Sequence, residues 1–599
     1  MNLKKTILLV FFITNFSNAQ DSFPKFREIV NKLFQNYEVS EFYQENDLLL
    51  EKRNSGWFVK MSNTKDTLQQ LFWDKHTNEY KKIKLPLKSV SKEITEYNEY
   101  INKEENEIKV KNQILKTYPE LHYQIFPYFG YDGCFYENNK RLEKKSELND
   151  NEIYTLGYSY SQVATNLIND NFDFTLKNLK YNLPYTNNSM NTNQLEKVIQ
   201  YSVKALGYYK TLIEKSPNYY TIPGSIKIKY SNEMVSLYLN LLVYQNEGIA
   251  SKYIFQNELY SENINQYSKL MLDSCEPNAI LFTAGDNDTF PLLYYQLKNN
   301  HRKDILIINT SLLNDSRYII MLKNGIFHNN KITYSLDEEY IKNKKSRFII
   351  LETDSNFIND ITKLNKIIFE KNIELNTGEE INLISNNFRF GADKNSLNWI
   401  YENDVLFRNQ LILLDIIGQN KWKKPVYFTD YNSYNEYLGL SNYLQLEGFI
   451  YKLSKDFNEN ADNLGYIKNP EIIENLLSKI NFKNINNLPV EEKQLVEYIR
   501  NLYLRLSKFY YEKNSKEKAI LTLDKCLNTY NNTTCPYNYF TIEFIDLYNS
   551  LNEKSKSDNI KNEVLKNIEN KNHIYYYQTD EYINEKLSSH KKYIENTYN

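Results

Sequence analysis

Residues 279–296 read AILFTAGDNDTFPLLYYQ, and the centre of this stretch decides how the chain is organised. Ala279 to Phe282 is a short continuous apolar run, the pattern of a strand buried on both faces. Phe290 to Asn300 suits a helix. Between them stand Gly285, Asp286, Asn287, Asp288 and Thr289. One reading makes them a turn: Asp288 or Thr289 caps the helix, Pro291 sits in its first turn, and Asp286 bonds backbone amides near Gly285. The other makes Asp286 and Asp288 ligands of a hard cation, Mg²⁺ or Mn²⁺. Their spacing is also that of the Asp-x-Asp element by which sugar-nucleotide transferases hold a metal and a diphosphate. Both readings stand at this level.

Outward from this point the grammar repeats. Asp304–Asn309, Arg347–Glu352 and Lys424–Thr429 are further apolar runs, and Asn409–Ile417 reads as a buried helix stopped by Gly418. Strand and helix alternate, so residues 271–460 are expected to form an α/β domain around a parallel sheet. Ligands of such sheets sit beyond the carboxyl ends of the strands. That rule gathers Asp286, Asn287, Asp288 and Thr289 after the first strand, Asn309 and Ser311 after the second, and Asp430 after the last. Glu447 fits an acid or base at the same place, and equally a solvent-facing helix position.

The flanks differ. Residues 21–145 read as a small mixed α/β region, with a helix over Phe23–Phe34, strands at Trp57–Ser62 and Leu71–Trp73, and a turn at Asn63–Asp66. Residues 146–270 turn helical. Leu156, Gly157 and Tyr160, then Ala205, Tyr209 and Pro217, hold spacings of a degenerate tetratricopeptide helix pair, separated by an Asn-rich insertion near 183–194. Residues 461–599 give a better unit: Tyr503, Leu506, Ser507, Tyr510, Ala519, Leu523 and Cys526 fall at tetratricopeptide positions, with Asn531 where Pro is usual. The expected class is therefore a central α/β domain flanked by tetratricopeptide-like helical regions.

The chain of 599 residues is long enough for several cores, and 73 Lys and Arg against 75 Asp and Glu leave no basic surplus for nucleic acid. The opening MNLKKTILLVFFITNFSNAQ has a positive start, a short apolar core and a small-x-small end, so residues 1–20 read as an export signal. No later window is long and apolar enough to span a membrane, so a soluble periplasmic or extracellular protein is expected. Cys526 and Cys535 are close enough to pair in such a compartment. The six histidines lack metal-ligand spacing. No nucleophile elbow, dinucleotide fingerprint or phosphate loop occurs.

Four ordered segments carry a resemblance: Thr283–Gln296, Arg302–Asn314, Lys421–Thr429 and Leu438–Tyr451. They resemble the soluble C-terminal region of multi-spanning proteins related to protein O-mannosyltransferases. Arg500–Leu506, with the repeat around Ala519, is similar to the helical segment that follows there. The likeness covers roughly 271–550. In that family the membrane-embedded half resembles glycosyltransferases that use lipid-linked donors, and this chain shows no counterpart of it, so transferase activity is not implied. The resemblance implies a binding or scaffold module linked to glycan or glycoprotein handling, with helical repeats for a protein partner. The alternative is a metal-assisted transferase or hydrolase acting on glycan through Asp286 and Asp288.

Overall fold

The computed structural model describes parts of 24–84 and 131–140, then 142–170, 192–243, 247–254, 258–325, 331–342, 348–353, 357–374, 380–391, 396–429, 438–462, 464–570 and 580–598, a few positions aside. The export signal, the turn at Asn63–Asp66 and Asp430 lie outside the described residues, as does most of the insertion near 183–194. The chain divides into two compact units, one of residues 1–110 with 124–137, the other of 111–123 with 138–599.

The first unit is a five-stranded sheet. Leu48–Arg53, Gly56–Met61, Gln69–Asp74 and Glu79–Tyr80 follow one another as an antiparallel meander, and Tyr131–Asp132 runs parallel to the first. Trp57 faces Trp73 across the second and third strands, and both indoles are buried. The apolar runs read as strands around Trp57 and Trp73 are strands.

The second unit begins with helices α1 (Asp150–Asp170), α2 (Thr192–Lys215) and α3 (Ile226–Val243). Ser216 and Tyr219 donate to Asp150 and Asn151, so the end of α2 meets the start of α1 and the pair is antiparallel. Gly157 lets the helices close up: a Cβ there would stand 2.5 Å from the Tyr209 ring. The residues singled out by spacing, Leu156, Tyr160, Ala205 and Tyr209, are all buried.

Next come α4 (Glu262–Ser274), β1 (Ile280–Thr283), α5 (Asp286–Asn299) and β2 (Leu306–Asn309); later follow α6 (Arg408–Asn420), β3 (Val426–Thr429), β4 (Leu444–Leu446) and β5 (Ile450–Leu453). The five strands form one sheet in the order β4-β5-β3-β1-β2. β3, β1 and β2 are parallel, whereas β5 and β4 are antiparallel additions. The sheet is therefore mixed rather than parallel throughout, because β4 and β5 form a hairpin whose short connection cannot reverse direction twice. The run Phe348–Glu352, expected in this sheet, belongs to a separate four-stranded one. Its residues alternate between buried and half-buried, while β1, β2 and β3 are buried at every position.

Gly418 does not stop α6. The helix continues to Asn420, and Lys421 takes the left-handed conformation that closes it. Gly418 instead admits a neighbouring chain, since a Cβ on it would lie 2.2 Å from the Ile361 carbonyl oxygen.

The chain ends in helix hairpins, among them α7 (Val490–Glu512) with α8 (Lys516–Thr529), and α9 (Ile542–Ser550) with α10 (Lys554–Glu569). The two turns are alike. Asn514 and Asn552 are left-handed, and the amides of Ser515 and Glu553 reach back to the carbonyls of Tyr510 and Tyr548. Ser507 donates to the Ala519 carbonyl at 2.8 Å, which fixes the α7–α8 contact. Among the described residues no helix is long and apolar enough to cross a membrane.

Candidate functional site

The acidic stretch is not a loop ahead of a helix; it is the helix's first turn. α5 starts at Asp286, with Gly285 as its N-cap and no side-chain cap bond, so neither Asp288 nor Thr289 takes the capping role expected of it. Pro291 accordingly falls in the second turn.

Asp288 is buried. Its Oδ2 accepts the Ala284 amide at 2.8 Å, just upstream of the helix, and also the hydroxyl of Thr429 at the end of β3. Thr289 is fully buried. Its Oγ1 lies 2.7 Å from Thr283 Oγ1, donates to the Gly285 carbonyl at 2.9 Å and accepts Asn309 Nδ2 at 2.9 Å. Thr429, Thr283 and Asn309 are the last residues of β3, β1 and β2. The strand ends thus present three polar side chains in a row, and the first turn of α5 is fastened onto them. An acid in that turn also opposes the positive end of the helix dipole.

Asn287 faces the other way. Its Nδ2 donates to the Pro223 carbonyl at 2.6 Å, and its Oδ1 accepts Asn232 Nδ2 at 2.7 Å. Tyr260 continues the chain by donating to Asn232 Oδ1 at 2.8 Å. Asn287 therefore ties α5 to α3. Between these elements and α7 lies a small cavity of about 50 Å³, bordered by Tyr260, Tyr267, Asn287, Asp288, Glu491 and Tyr498. One oxygen of Glu491 accepts Ser225 Oγ at 2.7 Å; the other is buried without a hydrogen-bond partner.

Asp286 alone of the three turns its side chain to solvent. The surrounding protein nevertheless displaces enough water to hold its carboxyl above the ordinary range, with Lys229 opposing the shift and Glu233 adding to it. Lys229 and Glu233 pair with each other at 2.6 Å on α3.

The remaining candidates scatter. Asn309 is buried, its Oδ1 accepting the Leu312 amide at 3.0 Å, while Ser311 is exposed in the following 3-10 turn. Glu447 is neither helical nor solvent-facing. It lies buried in the β4–β5 hairpin, accepting Tyr427 OH at 3.4 Å and Gln445 Nε2 at 3.1 Å. Burial pushes its carboxyl up, Lys452 pulls it down, and Glu276 adds to the rise. Among the described residues no group of three or more His, Cys, Asp and Glu has the arrangement of a metal site. At Asp288 itself, Oδ2 is taken by the Ala284 amide and the Thr429 hydroxyl.

Residues 264–469 match the family model described as TMEM260-associated domain 2. TMEM260-associated domain 2 is tied to an O-mannosyltransferase-like family. The match runs from the first turn of α4 to the residue before the helix Pro470–Lys479, so it takes in all of β1 to β5 and the acidic turn. The helix hairpins after 469 lie outside it. No curated protein and no solved structure matches the chain.

Cys526 and Cys535, expected to pair, are both free and buried. The loop after α8 carries Cys535 onto α7, where its Sγ donates to Glu497 Oε1 at 3.1 Å, while Cys526 stays on the inner face of α8. Between these elements the Arg500 guanidinium donates to the carbonyls of Tyr530, Asn531 and Cys535.

Proposed function

We propose that the chain is an exported binding module, linked to glycan or glycoprotein handling, in which the acidic turn is a structural clasp rather than a catalytic or metal site. The observation that carries this reading is the engagement of Asp288, Thr289 and Asn309 by one another and by Thr283 and Thr429. A group whose acceptor atoms are already held by buried donors is positioned for folding, not for exchange with a substrate. The paired hairpins α7–α8 and α9–α10, with their matching turns, are read as tetratricopeptide-like repeats that grip a protein partner. The link to glycan rests on the family match and on the sequence likeness to O-mannosyltransferase-related proteins.

The test uses immobilised glycopeptides and their unmodified counterparts. The full chain is expected to bind the glycosylated set, with Asp286→Ala binding equally well. Release or transfer of sugar by the wild type, lost in Asp286→Ala, would overturn the reading in favour of a metal-assisted enzyme.

A further inference from the structure

We propose that the groove between α8 and α10 is a binding site for a short neutral saccharide. This rests on the glycan-linked reading above and gives that reading a location. The groove is an open cleft of about 760 Å³, within the usual range of roughly 300–1,000 Å³ for small-ligand sites.

Its walls are two helix faces running side by side. Lys556 on α10 meets Asp524 on α8 at 2.8 Å, and Glu563, two turns further along α10, accepts Asn532 just beyond the end of α8. The two elements therefore point the same way and are tied near both ends of the groove, over a span of about 10 Å. That length suits a short ligand better than a chain passing through.

Further hydrogen bonds brace the cross-ties. Tyr548 donates to Asp524 at 2.8 Å from below, and Asn532 Oδ1 accepts both the Tyr537 amide and Asn567 Nδ2. Asn528 and Asn559 lie between the ties and Ser555 just before the Lys556 tie; all three border the groove and are exposed. They offer two planar amides and a hydroxyl, each able to donate and accept. Paired hydroxyls of a sugar match such groups and can replace the water they would otherwise hold. An apolar ligand would leave them unsatisfied. Charge disfavours an anion as well, because Asp524 and Glu563 outnumber Lys556 along the groove.

Asn528 and Asn559 are surface residues, so Asn528→Ala/Asn559→Ala should fold normally. The experiment prints immobilised short neutral oligosaccharides of hexose and N-acetylhexosamine units, acidic oligosaccharides and unglycosylated peptides. Full-length wild type and the double variant are applied to each, with melting temperatures recorded alongside. The expected result is binding to neutral oligosaccharides that falls at least tenfold in the double variant at unchanged melting temperature. Neutral-glycan binding that survives the double substitution would overturn the groove assignment while leaving the glycan reading standing. Absence of wild-type binding to any glycan would overturn both. Binding confined to acidic glycans or to peptides, and lost in the variant, would overturn the neutral-saccharide assignment.

Discussion

Asp288, in the first turn of α5, accepts a hydrogen bond from Thr429 at the end of β3, 141 positions further along the chain. The same oxygen also holds the Ala284 amide, so one carboxylate joins a helix start, the end of β1 and the neighbouring strand. Removing it strands two buried donors. Asp288→Ala is expected to destabilise the protein by roughly 3 kcal/mol, since each unsatisfied buried group costs about 1–3 kcal/mol. Urea unfolding followed by circular dichroism measures this. Unchanged stability would show that the contact does not matter to the fold.

Asp286 should behave in the opposite way. Its carboxyl is held above the ordinary range, so ionisation opposes folding. The favourable contribution is complete in acid, below the unfolded value of about 3.9, and is lost as pH rises through the raised folded value. Asp286→Asn is therefore expected to melt higher than wild type at neutral pH, with the gap closing as pH falls toward the unfolded value. Parallel melting curves across pH test this; a gap that widens in acid would contradict the sign.

Gly418 faces the Ile361 carbonyl at a distance that no side chain tolerates. Gly418→Ala must push apart α6 and the segment holding Ile361, at a cost of about 1–3 kcal/mol typical of overpacked cores. Good helix propensity at that position would otherwise favour Ala by up to about 1 kcal/mol. A stabilised variant would mean that the contact opens freely.

Cys526 and Cys535 should remain thiols even in an oxidising compartment. Burial pushes both thiols up, which keeps them from the reactive thiolate form. Peptide mapping after alkylation is expected to find both unlabelled in the native protein and both labelled after unfolding without reductant. Labelling that needs a reductant would reveal a bond between them.

Much of the architecture was legible in the sequence because strand burial writes itself as unbroken apolar runs. Ile280–Thr283, Leu306–Asn309 and Val426–Thr429 are strands, adjacent and parallel. Phe348–Glu352 misled because FIIL looks equally apolar in a half-buried strand of another sheet. The start of α5 was displaced by four residues because Asp288 and Thr289 resemble caps, whereas their partners Thr283, Asn309 and Thr429 are distant in sequence. Glu447 was ambiguous because a hairpin and a helix give the same short polar break. The matching turns at Asn514 and Asn552 leave little trace in the sequence, as neither carries the glycine that usually marks such a stop.

The most direct test of the clasp is a double-mutant cycle between Asp288→Ala and Thr429→Val, read by urea unfolding. If the two side chains act as one device, the double variant loses less than the sum of the single losses, with a coupling of at least about 1 kcal/mol. Additive losses would contradict the account, leaving Asp288 free to serve something other than the fold.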